Sequence, residues 1–121
     1  MINIHFERQI LEQTYFDKVT VKRVQKVVNE DTGITETKLI TVYEDIKCAV
    51  SSKESIREVP SGEVSSIVIL NKLFINPSYM INTGDTLEIT FFNGRKDVYL
   101  ASKGFYYHSH AEIPIVLKER A

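Results

Sequence analysis

The stretch YYHSHAEIP, Tyr106 to Pro114, holds the residues best suited to chemistry. On an extended chain, side chains at i, i+2 and i+4 point the same way. That puts His108, His110 and Glu112 on one strand face. Two imidazoles and a carboxylate are a ligand set of metal enzymes. The spacing weighs against a shared ion, because same-face neighbours stand about 7 Å apart and His108 and Glu112 therefore about 14 Å apart on a straight strand. His108 and His110 can converge, but a metal site gathers ligands from several elements. The remaining histidine, His5, is at the far end of the chain. A polar strand face, or histidines hydrogen-bonded at an interface, accounts for the same residues.

Other catalytic signals are weaker. Cys48 is the single cysteine, so neither an internal disulfide nor a cysteine-based zinc cluster can form. In DIKCAV the alternation sets it among apolar neighbours, as a structural cysteine. The chain has no G-x-S-x-G elbow, phosphate loop or G-x-G-x-x-G. No catalytic residue and no cofactor is expected. Lys18, Lys22, Arg23 and Lys26 form a basic cluster, with the lysines on one strand face. It reads first as a solvated face that resists edge pairing, and second as a contact for a phosphate backbone or an acidic partner.

The elements that must position these residues are mostly strands. Ile4 to Gln13 is the best helix, with Phe6 and Ile10 on one side. It is short and needs packing to persist. From Tyr15 the period becomes two: Val19 and Val21 alternate with Lys18, Thr20 and Lys22. Asn29 to Gly33 is a turn, and TKLITVYEDIKCAV returns as a long strand or bent pair. The segment SSKESIREVPSG has no sustained alternation and reads as a long polar loop. VSSIVILNKLFINP resumes strand character. Gly84-Asp85 turns, and Leu87, Ile89 and Phe91 share a face. Asn93-Gly94 is a two-residue hairpin signal, and Val98 and Leu100 of its return strand are expected to face inward. Lys103-Gly104 turns again, and Phe105 onward is the last strand, with Pro114 favouring an edge or a break. The sum is a single mainly β domain over residues 1–121: a small antiparallel barrel or sandwich with one short N-terminal helix and a long polar loop.

Composition agrees. The chain has 121 residues, is 43% hydrophobic and 26% charged, and can bury a core. Its net charge of -1 provides no overall attraction to nucleic acid or an anionic membrane. The first ten residues are charged and lack a signal-peptide core, and no apolar run spans a bilayer. A soluble protein made in a cytoplasm is expected, with no membrane partner.

The order of features resembles the head–tail connector or head-completion proteins of tailed bacteriophages, the stoppers or head-closure proteins of PBSX-like prophages. DKVTVKR comes early, EDIKCAVSSK precedes the polar segment, then come LFINPSYMINTGDTLEIT, a hairpin, and YYHSHAEIPIVL at the end. The similarity spans most of the chain; each piece is weak and their order carries the argument. His110, Glu112 and Pro114 match the family's ending, which looks like a strand that closes the barrel or packs on a neighbour; His108 is extra.

The resemblance implies a structural virion protein at the head–tail neck, assembled in the bacterial host cytoplasm and not an enzyme. It would form a ring of six or twelve subunits below the portal and its adaptor, close the channel on packaged DNA, and offer a docking surface to tail proteins such as the tail terminator. Non-specific contact with double-stranded DNA in the channel belongs to the same reading. The candidate channel loop is Ser51, Ser52, Lys53, Glu54, Ser55, Ile56, Arg57, Glu58, Val59, Pro60, Ser61 and Gly62. The candidate interface is Lys18, Lys22, Arg23, Tyr106, His108, His110 and Glu112, with strand edges in Val19–Val27 and Tyr106–Leu117. A tail terminator or tail-completion protein is the first alternative. A small metal-binding β-barrel enzyme and a generic ligand-binding β domain follow.

Overall fold

The computed structural model describes residues 4–58 and 65–120, with side chains over 6–54 and 69–118. Helix α1 (Ile4–Glu12) ends where the Thr14 hydroxyl donates to the Leu11 carbonyl at 2.6 Å. It is tethered rather than buried: Asn76 Nδ2 donates to Glu12 Oε1 at 2.8 Å, while Phe6 and Ile10 stay exposed.

Strands β1 (Asp17–Val28) and β2 (Thr35–Glu58) form the expected hairpin. Its turn is closed by Gly33 N–H donating to the Asn29 carbonyl at 2.7 Å, with Gly33 at φ 70°. Val19 and Val21 are fully buried, as their alternation predicts. Opposite them β2 carries two register shifts, between its pairings to Lys22 and Val19, and Asp45 there has φ 50°. Bulges of this kind bend a strand and tighten its twist. Beyond them the hairpin leaves the core as an arm on which Val24, Val28, Ile34 and Leu39 are exposed.

The expected loop from Ser51 is instead strand as far as Glu58, paired residue for residue with β3 (Ser65–Ile75) from Ser65 to Lys72. Ser51–Glu58 has no apolar face, so the period-two signal that marks a half-buried strand is missing. What it has is a partner strand, with which its backbone pairs along the whole ladder. Val59, Pro60, Ser61 and Gly62 lie outside the described residues. Thus β2 carries one two-stranded arm at each of its ends.

Strand β4 (Thr86–Thr90) pairs with β1 on one side and with β5 (Lys96–Ala101) on the other. The β4–β5 turn is longer than two residues: Phe91 N–H donates to the Arg95 carbonyl, and only Gly94 of the turn has positive φ. A two-residue type I′ turn needs positive φ at both central positions. The inward residues of β5 are Asp97, Tyr99 and Ala101, not Val98 and Leu100. Pairing decides this, because Tyr99 and Asp97 stand opposite the buried Leu87 and Ile89.

The last segment is two strands, β6 (Phe105–Tyr106) and β7 (Ala111–Arg120), joined by a turn in which Tyr107 N–H donates to the His110 carbonyl. β7 pairs with β3 on one side and with β5 and β6 on the other. The antiparallel sheet therefore closes on itself in the order β1-β2-β3-β7-β5-β4, giving the expected mainly β, barrel-like fold. Pro114 sits inside β7 rather than at an edge or break. Its carbonyl accepts from Ser102 N–H just past the end of β5, where the neighbour changes from β5 to β6 and a missing donor costs little. Leu73, Ile75, Leu87, Ile89, Ile113, Val19, Val21 and Cys48 fill the interior. Burial pushes the Cys48 thiol well up, and nearby Asp17 adds to this, so it is the inert structural cysteine expected.

Candidate functional site

The histidine constellation comes apart in the turn. His108 lies in the turn between β6 and β7, where its carbonyl accepts from Arg8 Nε at 2.9 Å. His110 stacks on Tyr107, with centroids 5.1 Å apart, and leans on Phe74 at 6.0 Å. The single-strand alternation that aligned His108, His110 and Glu112 does not exist. Among the described residues no three His, Cys, Asp or Glu side chains are placed to hold a metal ion.

Ser109, His110 and Glu112 have the composition of a hydrolase triad. Ser109 Oγ and His110 Nδ1 are 2.9 Å apart, but His110 Nε2 stands 3.8 Å from Glu112 Oε2. That is an ion-pair distance and too long for the hydrogen bond that fixes a catalytic imidazole. The group serves as a stacked brace at the hairpin tip.

Tyr106 is a clamp. Its hydroxyl accepts from Ile81 N–H at 3.0 Å and donates to the Ile81 carbonyl at 3.1 Å. Gly104 makes room for it: a Cβ there meets Ile113 Cδ1 at 2.7 Å and the Tyr106 ring at 3.3 Å. Gly104→Ala is expected to destabilise by about 1–3 kcal/mol through overpacking, read as a lowered denaturant midpoint with unchanged slope. An unchanged midpoint is the contrary result.

Two of the four residues of the basic cluster are paired with carboxylates. Lys22 Nζ meets Glu88 Oε1 at 3.0 Å. Arg23 forks onto Asp85, Nε to Oδ1 at 2.9 Å and Nη2 to Oδ2 at 2.8 Å, and Nη2 also donates to the Met80 carbonyl. Asp85 is 3% exposed and its Oδ2 accepts from Asn82 N–H as well. The hydrogen bond to Asp85 raises the Arg23 pKa further and keeps the guanidinium charged. Lys18 and Lys26 remain exposed.

Sequence reasoning passed over the buried carboxylates Asp17, Asp85 and Asp97, because a carboxylate reads as surface by default. Each has a partner: Phe92 N–H on Asp17, Arg95 on Asp97, Arg23 on Asp85. The segment Asn76–Asp85 is thereby pinned from several sides. Tyr43 takes part too: Met80 N–H donates to its hydroxyl at 3.2 Å, and its ring meets Tyr79 edge-on at 5.1 Å.

The outstanding surfaces are the arms. Where β3 and β7 part company, beyond the pairing of Asn71 with Ile115, a groove of about 520 Å³ opens. Its walls are Ile69 to Lys72 and Pro114 to Leu117, mostly apolar. Among the described residues no helix is long and apolar enough to cross a membrane.

The architecture is that of a barrel-like closed sheet extended by two hairpin arms. The chain is similar to the solved structure of protein xkdH of the phage-like element PBSX from Bacillus subtilis, with a TM-score of 0.44 and 13% identity over 84% of this chain and 91% of that one. This overlap falls short of a shared fold, so the functional reading rests on this chain's own residues. No protein-family model matches the chain, and no curated protein matches its sequence.

Proposed function

We propose that the chain is a structural subunit of the head–tail neck in a tailed phage or phage-like particle, assembled as a ring that closes the portal channel after DNA packaging and receives the tail. The observation that carries this reading is the β2–β3 arm. Ser51–Glu58, the segment the resemblance marks as the channel element, is the outgoing strand of a hairpin extending from a closed sheet. A ring multiplies one weak arm contact by the number of subunits. The near-neutral chain suits a plug that stops DNA without gripping it. The portal and its adaptor on one side and the tail terminator on the other are the proposed neighbours.

Electron microscopy of particles from which this gene has been deleted tests the reading. Emptied, tailless heads beside complete free tails are the expected result. Heads that keep their DNA, with tails of abnormal length or end, assign the chain to the tail side as a terminator or completion protein. Intact, functional particles overturn the structural role.

A further inference from the structure

We infer that the groove between β3 and β7 takes the outer edge of the β1–β2 arm of a second copy, with Arg23–Val28 of one subunit adding as a strand beside Ser65–Leu70 of the next. This rests on the ring reading and names the surfaces that would build the ring.

Two free edges of equal length carry the argument. β1 pairs with β4 only as far as Lys22, which leaves the six residues Arg23–Val28 without a partner strand on that side among the described residues. β3 pairs with β7 only from Asn71 on, which leaves the six residues Ser65–Leu70 in the same state. The sequence SSIVIL has no charge, proline or glycine. Edges that must stay unpaired in water are guarded by those residue types. The other open edges carry charges, Glu36 and Lys38 in β2, Lys118 in β7, and Arg23 and Lys26 on the β1 edge itself, so the bare edge that needs a partner is that of β3.

Apolar side chains wait on both partners. Val24 is 59% exposed and Val28 60%, against Ile69 at 59% and Val116 at 61% at the groove. The chain exposes 8731 Å², whereas a compact monomer of 13.9 kDa exposes about 6,700 Å². A subunit with two standard interfaces, one on each side, covers about 1,600 Å² of its own surface.

The two edges belong to arms at opposite ends of β2, so the contact is head-to-tail and repeats from copy to copy, as a ring requires. Pairing of two β3 edges would be two-fold and stop at a dimer, leaving both β1 edges bare.

The test uses purified full-length protein at high concentration and a short thiol-reactive bifunctional cross-linker. Cys48 is fully buried and does not compete in the native fold. Val24→Cys and Ile69→Cys are made separately and together, with Val28→Cys and Leu70→Cys as a second pair, and circular dichroism checks each fold. Neither single variant should cross-link, their mixture should give a dimer, and the double variant a ladder beyond the dimer. Adding Leu70→Lys to the first double variant should abolish the ladder. If Ile69→Cys alone cross-links as well as the mixture, the groove binds its own like and the proposal fails. It fails equally if neither double variant gives product. The deletion phenotype is read on particles, so failure of the docking and failure of the neck role can be told apart.

Discussion

Arg23→Ala should lower the melting temperature by about 10 °C. The change strips two charged hydrogen bonds from Asp85 and one bond from the Met80 carbonyl. Asp85 is left almost without water and with only the Asn82 N–H on its side chain. Breaking a buried ion pair from one side costs about 3–5 kcal/mol, and because the Arg23 side chain is one quarter exposed we discount this to about 2–3 kcal/mol. For a chain of this length each kcal/mol moves the midpoint by about 4 °C. Arg23→Lys restores the charge but not the fork and should recover less than half of the loss. The double variant Arg23→Ala with Asp85→Ala should cost less than the sum of the singles, since the orphaned carboxylate goes too. Calorimetry on the four proteins decides. A single Arg23→Ala that melts within about 2 °C of the parent would show that the fork contributes nothing.

Replacing residues 57–66 with an Asn-Gly turn should leave a folded protein that no longer holds DNA. Ile56 and Ile67 face each other across the ladder, so a two-residue turn can close the hairpin there. The core side chains come from Cys48 on β2 and from Leu73 and Ile75 on β3, well below the cut. Most of the Ser65–Leu70 edge survives, so the subunit should still enter particles and be found there by immunoblot. Heads carrying it should be empty. Full heads with the shortened subunit in place would end the gating role of the arm while leaving a neck position open.

The segment from Ser51 is expected as a loop and forms a strand as far as Glu58. Ser51–Glu58 reads as loop because neither of its faces is apolar, yet a strand needs only a partner with free backbone groups, and β3 supplies one. Some of the candidate interface residues have partners within the subunit or lie in a turn. Arg23 and Tyr106 are spent inside the subunit on Asp85 and Ile81, and His108 is in a turn. Only the partner across space reveals this, and Asp85 lies sixty-two positions from Arg23.

What the sequence determined by itself is what nearest neighbours decide. Val19 and Val21 had to face inward once their strand formed, Asn29 to Gly33 had to turn, and Cys48 had to sit among apolar side chains, because alternation and local backbone preference suffice for each. What only the tertiary structure decided is which face of a strand wins when both are half apolar, and where a strand stops having a neighbour. In β5 Val98 and Leu100 lost the interior to Asp97, Tyr99 and Ala101, since the register with Leu87 and Ile89 fixes the face for the whole strand at once. The groove beside Ile69 and Val116 exists because β3 outlasts its pairing with β7. A strand's residues set its tendency to pair, but the length over which a partner is present is a property of the closed sheet.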